Sequence, residues 1–410
     1  MERYPCLSES FVRRDLAGLE SRGFTMAVVA CAARRRCDTS LASELRAAVI
    51  RREDRMSRDV WRHKARVAVG LPLNLVRARS FFAPSPRGAA AAARASWIAA
   101  AVQPQLQAWK PDWIHAHFLG LPSVVACLLS DRLGLPFSIS AHARDIFVPV
   151  VRIASLCARA RFVAACSEYA RASLMGLLPI ELAARIEHLP HDVACGSIIP
   201  EREIPYGVPI RLLSVCRLVS KKGIDVVLSA LALLPASLPY CYRIVGDGPE
   251  LPRLRALASE LGLERVEFAG ALPPESIPEE LARAHVFLLG TRTAPDGDRD
   301  GIPNALLEAI AAGLPVVVSD AGAVSEVVRD RHTGWLVPPD NPRAFADAIR
   351  DVVTHPDLRR SVTASAHAEV CRRFSSASNS AALAKRLEAE FPTGVNRGNW
   401  SDDFAVGDCV

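Results

Sequence analysis

The residues best suited to chemistry lie in Asp300–Glu308, which reads Asp-Gly-Ile-Pro-Asn-Ala-Leu-Leu-Glu. Pro303 suits the first turn of a helix, and Gly301 allows the backbone to approach a ligand closely. The free N–H groups of such a helix start attract anions. Glu308 follows in an almost wholly apolar helical run, where an unpaired charge is costly. A ribose diol would satisfy this carboxylate, and a structural ion pair with an arginine is the alternative.

A second candidate site is the basic turn Arg217–Gly223, which follows a short apolar run. Arg217 and Lys222 suit a diphosphate, because a guanidinium binds phosphate bidentately and an ammonium acts as a point charge. A solvated loop is the alternative, since Lys and Arg are exposed by default. Gly246-Asp247-Gly248 follows the next apolar run and favours a tight turn beside a nucleotide. Leu251 stands where the third glycine of a dinucleotide fingerprint belongs, which disfavours NAD.

Histidines mark the first half of the chain, where His115-Ala116-His117 ends one predicted strand and His142 follows the next. His-x-His on a strand places both rings on one face, where they suit sugar hydroxyls or a metal ion. No third metal ligand stands at a convincing spacing, so a metal site is disfavoured. The alternating acids of residues 296–300 likewise do not match the calcium loop of an EF-hand.

The elements that must position these residues alternate between short apolar runs and helical patterns, which indicates βαβ units around parallel sheets. Continuous apolar runs in the second half predict strands buried on both faces. These are Ile210–Val215, Tyr242–Val245, Val266–Phe268, Val286–Leu289 and Val316–Ser319, with helices over Ile224–Leu234 and Pro249–Leu261. Strands in the first half are expected near Met26–Ala30, Trp113–Ala116, Phe137–Ser140, Phe162–Ala165 and Ile186–Leu189. The prediction is an α/β protein with two Rossmann-like, doubly wound domains facing a cleft, with ligands at the carboxyl ends of strands.

A chain of 410 residues exceeds the size at which one hydrophobic core stops growing. The segment Ile198–Pro209 has the Pro- and Gly-rich composition of a linker. We therefore expect one domain over residues 1–200 and a second over residues 201–375. Residues 376–410 are expected to form a helix that packs back on the first domain, followed by a polar tail. A helix is predicted from about Ser10, so the usual first strand is expected to be missing or to lie upstream.

Composition excludes several classes of protein. Half of the residues are hydrophobic, and no apolar run approaches the ~18 residues of a membrane span. The first residues lack the features of a secretory signal, so a cytoplasmic location is expected. The eleven cysteines never form Cys-x-x-Cys pairs, which argues against a disulfide framework and a zinc site. We expect them to fill core positions as small hydrophobic residues.

The net charge of +6 is concentrated in the segment Arg46–Arg66, which holds eight basic and three acidic residues. Such a segment suits anionic lipid headgroups or an anionic acceptor. A solvated helix face is the alternative. Nucleic acid is disfavoured, because few aromatic residues are available for base stacking.

Taken together, these segments resemble glycosyltransferase family 4, the retaining, nucleotide-sugar-dependent enzymes of the GT-B fold. The resemblance is strongest between Leu213 and Pro339. It is carried by Ser214–Leu218 with Lys222-Gly223, Ile244–Pro249, Asp300–Glu308, and Gly313–Val317 with Glu326 and Gly334. The opening Tyr4–Val12 resembles a colanic-acid-type branch that builds bacterial exopolysaccharide and lipid-linked saccharides.

The resemblance implies a role for each candidate residue. Arg217 and Lys222 would hold the donor diphosphate together with the helix start, and Glu308 would hold the ribose hydroxyls. Asp300 with the amides of Gly301 and Ile302 would hold the donor sugar. The remaining members of the implied site are His142, against the reacting carbon, and Gly246 and Gly248, beside the nucleotide.

The implied activity is retaining transfer of a sugar from a UDP-, GDP- or ADP-sugar to a saccharide or polyprenyl-diphosphate-linked acceptor. The resemblance implies no metal or other cofactor. The location expected from the sequence is cytoplasmic, and the basic segment Arg46–Arg66 suits peripheral association with the inner face of the plasma membrane. A first alternative is a nucleotide-sugar-binding relative that is catalytically impaired by its shortened N-terminal domain. The second is an NAD-dependent oxidoreductase, which the broken glycine pattern disfavours.

Three departures from the family pattern stand near the implied site. Asp300 replaces the usual Glu and is one methylene shorter, which predicts an altered donor preference. His142-Ala143-Arg144-Asp145 replaces His-Gly-x-Asp, so the backbone there is less free to adopt φ > 0. Asp192-Val193-Ala194 replaces Gly-Val-Asp, which affects a contact near the donor or the hinge.

Overall fold

The computed structural model describes residues 10–31, 48–51, 74–196, 203–204, 208–375 and 382–391. The chain divides into two compact units. Unit 1 comprises Met1–Cys166, Ala170–Leu189 and Ser380–Val410, and unit 2 comprises Ser167–Tyr169 and Pro190–Asn379. Each unit is an α/β structure with parallel strands, which confirms the predicted fold class. The expected missing first strand and most of the expected linker fall outside the described residues.

Unit 1 holds a four-stranded parallel sheet in the order β3-β4-β5-β6 and a separate parallel pair, β1-β2. Its elements are α1 Ser10–Ser21, β1 Ala27–Ala30, β2 Ala48–Arg51, α2 Pro86–Trp109, β3 Ile114–His117, α3 Leu121–Leu133, β4 Phe137–Ala141, α4 Ala143–Phe147, α5 Ile153–Cys157, β5 Val163–Ala165, α6 Glu168–Gly176, α7 Ile180–Ala183, β6 Ile186–His188 and α14 Ala382–Glu388. Because β3 and β4 are hydrogen-bonded neighbours, the residues that follow their carboxyl ends lie side by side.

One interpretation of the basic segment Arg46–Arg66 is a solvated helix, and the start of the segment has a different structure. Ala48–Arg51 is a strand paired in parallel with Ala27–Ala30. Its sequence contains the adjacent β-branched residues Val49 and Ile50, which favour extended backbone and outweigh the charge pattern. The rest of Arg46–Arg66 lies outside the described residues.

Unit 2 holds a six-stranded sheet in which every neighbouring pair is parallel, in the order β12-β11-β10-β7-β8-β9. Its elements are β7 Ile210–Val215, α8 Ile224–Leu231, β8 Tyr240–Val245, α9 Leu251–Glu260, β9 Val266–Gly270, α10 Ile277–Arg283, β10 Val286–Leu289, α11 Asn304–Ala311, β11 Val316–Ser319, β12 Trp335–Val337, α12 Pro342–Thr354 and α13 Pro356–Phe374. The strand β12 was not predicted, because its three residues are too few to form a recognisable apolar run.

Alternate residues of the central strands enter different cores, as expected for a sheet covered on both faces. Val286 and Leu288 belong to one apolar cluster, whereas Phe287 and Leu289 belong to another. Val317 likewise joins the first cluster, and its neighbours on β11 join the second. This double burial is the physical reason that the strands appear in the sequence as unbroken apolar runs.

The order of strands in unit 2 fixes where its functional loops meet. The chain runs outward from β7 through β8 to β9, then returns to the other side of β7 to form β10. The topological switch point therefore lies between β7 and β10, and the loops that leave their carboxyl ends diverge there. Open parallel sheets bind ligands at such a point.

Cysteine usage differs from the expectation. Cys195 and Cys371 form a disulfide, with Cα atoms 5.7 Å apart. The two cysteines are 176 positions apart in sequence, so spacing arguments could not identify the pair. Cys31, Cys127 and Cys157 are buried as expected. Three further cysteines lie outside the described residues, and Cys241 is exposed.

Helix α14 packs within unit 1. Leu383 and Leu387 share an apolar cluster with Leu19 and Phe162. Arg386 donates hydrogen bonds from Nε to both carboxylate oxygens of Glu187, at 2.7 and 2.8 Å. In the part of the chain that the structure describes, no helix has the length and apolar character needed to cross a bilayer.

Candidate functional site

The switch point of unit 2 brings two lysines against two aspartates. The Nζ atom of Lys222 lies 2.6 Å from Oδ2 of Asp300. Lys221 Nζ lies 3.0 Å from Oδ1 of Asp298 and 3.2 Å from Oδ1 of Asp300. The lysines belong to the 3₁₀ turn Ser220–Lys222 after β7, and the aspartates belong to the loop after β10. The strand order therefore explains why residues almost 80 positions apart form one cluster.

The carboxylates of this cluster are buried, and their side chains are 9% and 10% exposed. Burial alone would raise the pKa of Asp300, but Lys222 and Lys221 outweigh that effect and lower it. Asp300 is therefore ionised at neutral pH and accepts hydrogen bonds rather than donating a proton. Since a lysine carries three N–H donors, Lys222 can bind Asp300 and still donate to a second anion.

Two pairs of loops in this region approach each other too closely for side chains. A Cβ atom on Gly223, whose φ is +57°, would lie 1.6 Å from the carbonyl oxygen of Gly290. Gly246 and Gly248 pack in the same way on the segment that carries Arg217, since an added Cβ atom would lie 1.8 and 2.3 Å, respectively, from a carbonyl oxygen of that segment. The predicted nucleotide role of Gly246 and Gly248 stays a prediction. Their glycine identity is explained by this backbone packing.

Helix α11 starts at Asn304, and Pro303 is its N-cap residue rather than its first helical residue. Gly301 and Ile302 are buried just before it. Within the described residues, their backbone N–H groups donate to no other group. A buried N–H without a partner is costly, so this pair of amides is suited to receive an anionic ligand.

Gly322, in the loop that follows β11, packs against the same loop. It has a φ of +66°, and an added Cβ atom would lie 1.9 Å from the carbonyl oxygen of Asp300. Only glycine tolerates both the left-handed conformation and this contact. Gly322 was not singled out from the sequence, where the Ala-Gly-Ala after β11 resembles an ordinary turn.

Arg217 and Glu308 complete the set of predicted residues in unit 2. Arg217 is exposed directly after β7, and its guanidinium makes no hydrogen bond or ion pair with another described residue. Glu308 lies on the first turns of α11 and is partly buried. The cationic charges of Lys221 and Lys222 are balanced by the two aspartates, which leaves the charge of Arg217 in excess. Beside them, burial raises the pKa of Cys216 to about 12, which keeps it a neutral thiol and a poor nucleophile.

In unit 1, both ring nitrogens of His115 are occupied by serines of the neighbouring strand. Nδ1 lies 2.7 Å from the Oγ atom of Ser138, and Nε2 lies 3.0 Å from the Oγ atom of Ser140. Burial lowers the pKa of His115 to about 3, so the ring is neutral at physiological pH. His115 is therefore a structural residue of the strand pair. His115 could bind a metal ion only by giving up one of these two serine contacts.

His142 begins helix α4 as its N-cap residue, at the carboxyl end of β4. Oδ2 of Asp145 accepts from the backbone N–H of His142 at 3.2 Å and from that of Leu119 at 2.8 Å. The rings of Phe11 and Phe118 each lie 4.7 Å from the His142 ring. Phe118 adopts a φ of +78°, which is rare for a bulky residue. The His142 ring thus packs against two aromatic rings, one of them on a residue with an uncommon backbone conformation.

One of the departures from the family pattern has a structural explanation, and a second can be located by its contacts. Ala143 is the first residue of α4 and is not among the residues with positive φ, so its replacement of glycine causes no strain. In the Asp192-Val193-Ala194 segment, Val193 donates to the carbonyl of Phe374 at 2.7 Å and pairs with Ser375. The adjacent His191 lies 3.0 Å, Nδ1 to Oδ1, from Asn304 at the start of α11. This segment thus contacts the end of α13 and the start of α11.

The fold of the chain matches solved glycosyltransferase structures. HepE from Anabaena, crystallised in complex with UDP-glucose, superposes with a TM-score of 0.70 at 18% identity. The match covers 94% of this chain and 98% of HepE. The chain therefore has the GT-B class of fold that the sequence predicted.

The C-terminal half of the chain matches a known family. Residues 199–368 match the family model of the glycosyl transferases group 1. It is 38% identical over 186 residues to WcaL of Salmonella typhimurium, a protein named as a candidate colanic acid biosynthesis glycosyltransferase, with 44% of this chain and 46% of WcaL covered. It is 36% identical over 185 residues to a GDP-mannose-dependent phosphatidylinositol monomannoside mannosyltransferase of Mycolicibacterium smegmatis, with 42% and 48% covered. The matched region spans about half the length of these relatives.

Proposed function

We propose that the protein is a retaining glycosyltransferase that moves a sugar from a nucleotide-diphosphate sugar to a saccharide or lipid-linked acceptor in bacterial polysaccharide biosynthesis. The observation that carries the proposal is the cluster at the switch point of unit 2. There, Lys222 contacts Asp300, the residue that precedes the buried amides of Gly301 and Ile302, and these amides have no partner among the described residues. Arg217 lies on the same loop after β7 as Lys222. The family match and the colanic acid relative support the same conclusion.

In this proposal, the donor diphosphate lies against Arg217, Lys222 and the start of α11. As the bond between sugar and diphosphate breaks, negative charge grows on the leaving phosphate, and these fixed donors stabilise it. Asp300 is ionised and holds Lys222, so it does not act as an acid. Its remaining lone pairs suit hydroxyls of the donor sugar. Glu308 would accept from the ribose hydroxyls, and His142 stays the predicted contact to the sugar from unit 1.

No metal or other cofactor has a role in this scheme, because cationic side chains and backbone amides supply the charge that the leaving group needs. We expect turnover to be unchanged by EDTA at concentrations that strip divalent cations. A loss of turnover that Mg²⁺ or Mn²⁺ restores would contradict this part of the proposal.

The donor is expected among UDP-, GDP- and ADP-sugars. HepE binds UDP-glucose, and the mannosyltransferase of Mycolicibacterium smegmatis depends on GDP-mannose, so both bases occur among similar proteins. Thermal-shift screening of a panel of these donors, followed by measurement of nucleoside diphosphate release, tests the proposal. At least one donor should stabilise the protein and be turned over, and Lys222→Ala should abolish turnover. Absence of stabilisation by every donor would refute it.

We further propose that the acceptor is presented at an anionic membrane surface and that the basic segment Arg46–Arg66 binds there. The support is the concentration of positive charge in this segment, which attracts acidic headgroups at roughly 1 kcal/mol per basic residue. Replacing Arg51, Arg52, Arg55 and Arg58 with Gln should weaken sedimentation with phosphatidylglycerol vesicles while donor hydrolysis is unchanged. A matched variant with Gln at exposed arginines of unit 2 should sediment normally. Equal sedimentation of the two variants would contradict this proposal.

A further inference from the structure

Arg292 makes an unusual set of contacts with the turn that carries both site lysines. It stands two residues after Gly290 in the loop that follows β10, and its side chain is only 16% exposed. Its backbone N–H donates to the carbonyl of Lys221 at 3.0 Å. Its guanidinium Nε donates to the carbonyl of Ser220, also at 3.0 Å. One residue thus binds two successive carbonyls of the 3₁₀ turn Ser220–Lys222.

The guanidinium is itself fixed by two carboxylates. Nη2 lies 2.8 Å from each carboxylate oxygen of Asp225, in the first turn of α8, and Nη1 lies 2.8 Å from Oδ1 of Asp340. Burial alone would lower the pKa of Arg292, but the hydrogen bonds to Asp225 and Asp340 outweigh it and raise the pKa. Such charge-assisted bonds are about twice as strong as neutral ones. Arg292 therefore joins the turn, the helix after it and the β10 loop.

The contacts of Arg292 bear on how the two site lysines are held in place. Lys221 and Lys222 face Asp298 and Asp300 across short distances, so attraction would draw the lysines onto the acids. A lysine side chain is flexible, and its position depends on the backbone from which it extends. A turn anchored by Arg292 keeps both Nζ atoms at fixed places before any ligand arrives. Preorganised charges of this kind stabilise an anion without reorganisation.

We propose that Arg292 is a positioning residue for the diphosphate site: it anchors the turn Ser220–Lys222 so that Lys222 is held ready for the donor. This inference rests on the proposed function for its link to the diphosphate, whereas the anchoring itself is independent of any ligand. Arg292 lies two positions after Gly290, which packs closely against Gly223. The Gly223–Gly290 contact and the Arg292 hydrogen bonds therefore hold the same two loops together.

Arg253 offers a matched control. Its Nη2 atom also binds Asp225, at 3.0 Å, and its Nε atom binds Glu250 at 2.8 Å. Among the described residues, it donates to neither the carbonyl of Ser220 nor that of Lys221. Arg253→Gln therefore removes an arginine from the same aspartate without releasing the turn. Arg292→Lys serves as a second variant, since it keeps the charge beside Asp225 but cannot satisfy all four acceptors.

The test combines two measurements on the full chain. Hydrogen exchange of peptides covering residues 217–224 should become faster in Arg292→Gln and Arg292→Lys and remain unchanged in Arg253→Gln. Calorimetric titration should show nucleoside diphosphate binding weakened by about 10- to 100-fold in both Arg292 variants, in line with the loss of a charge-assisted contact. Binding of the nucleoside monophosphate should weaken less, and a general loss of structure would instead affect both ligands equally.

The inference would be overturned if residues 217–224 of the Arg292 variants exchanged hydrogen at the wild-type rate. It would also be overturned if Arg292→Gln and Arg253→Gln changed the exchange rate and the affinity equally. If Arg292→Gln does not fold, the same comparison is made with Arg292→Lys. If the wild-type protein binds none of UDP, GDP and ADP, the proposed function fails. The exchange of the turn still decides whether Arg292 anchors it, so the two failures are distinguishable.

Discussion

The ammonium nitrogen of Lys222 lies 2.6 Å from Oδ2 of Asp300, and this contact joins the loops that leave the two strands at the switch point. It places an ionised acid beside a cation that the proposed reaction needs. In the proposed reaction, the Lys222 ammonium therefore contacts both the donor diphosphate and Asp300. Small changes in the length of the acid should consequently alter how the donor is held.

Substitution of Asp300 tests this relationship. Asp300→Ala removes the partner of Lys222 and the acceptor for the donor sugar, and we expect kcat/KM to fall by about 10²-fold or more. Asp300→Glu keeps the charge and moves it by one methylene, so turnover should persist with an altered ratio of kcat/KM among UDP-, GDP- and ADP-sugars. Asp357, an exposed acid on α13, supplies the control for a one-methylene change. An unchanged donor ratio in Asp300→Glu would contradict the proposed contact to the sugar.

The roles of Glu308 and Lys222 can be separated with two ligands. Inorganic pyrophosphate contains the diphosphate without the ribose, and a nucleoside diphosphate contains both. Glu308→Ala should weaken binding of the nucleoside diphosphate by about 10-fold or more while leaving pyrophosphate affinity unchanged, because the proposed scheme places this carboxylate against the ribose hydroxyls and not against the diphosphate. Lys222→Ala should weaken both ligands. Calorimetric titration measures the four affinities, and equal losses of pyrophosphate binding in the two variants would refute the assignment to Glu308.

Gly322→Ala should disturb the site through the backbone of Asp300. The substitution introduces a left-handed alanine, which costs about 1–2 kcal/mol, and a Cβ atom 1.9 Å from a carbonyl oxygen. Gly262 has nearly the same φ, +65°, with nothing within 4 Å of an added Cβ atom. Gly262→Ala is therefore a control for the conformational cost alone. Denaturant unfolding should show a larger decrease in the free energy of unfolding for Gly322→Ala than for Gly262→Ala, and Gly322→Ala should also weaken donor binding. Equal decreases in the two variants would show that the contact with Asp300 is unimportant.

His115 should make the stability of the protein depend on pH. Its pKa is about 3 in the folded protein, against an ordinary value of 6.5, so the unfolded chain takes up the proton at a higher pH. The free energy of unfolding should therefore fall as the pH drops below about 6.5, by up to about 1.4 kcal/mol per unit from this group. Chemical denaturation at pH 7.5, 6.0 and 5.0 measures the slope.

The variant His115→Gln should have a shallower slope over that range than the wild-type protein. A Gln variant of His332, which is exposed in unit 2, serves as the control and should keep the wild-type slope. Parallel slopes for the wild-type protein and His115→Gln would mean that burial of this ring does not limit its protonation.

The sequence predicted the scaffold of unit 2 well because burial on both faces leaves a plain signature. Ile210–Val215, Val286–Leu289 and Val316–Ser319 have the predicted bounds in the structure. The alternation of their residues between two cores explains why the runs are unbroken. Strands as short as Trp335–Val337, or set in a charged segment like Ala48–Arg51, carry too few apolar residues to be recognised in this way.

Much of the site geometry could not be predicted from residue types. Arg292 binds a backbone carbonyl of a turn 72 positions away in sequence. Because every residue has the same backbone carbonyl, the residue types of the turn give no sign of this contact. The contact of Gly322 with Asp300 depends on which strand neighbours β10, as does the pairing of Lys221 with Asp298. These relationships arise from the strand order, which the apolar runs alone do not specify.

The most direct measurement is a crystal structure of the protein with the nucleoside diphosphate of its preferred donor. Diphosphate oxygens are expected within about 3.2 Å of Lys222 Nζ, of the Arg217 guanidinium and of the amides of Gly301 or Ile302, with the ribose hydroxyls on Glu308. A nucleotide bound away from the switch point of unit 2, or bound there with its diphosphate directed away from Lys222 and Arg217, would contradict the proposed function.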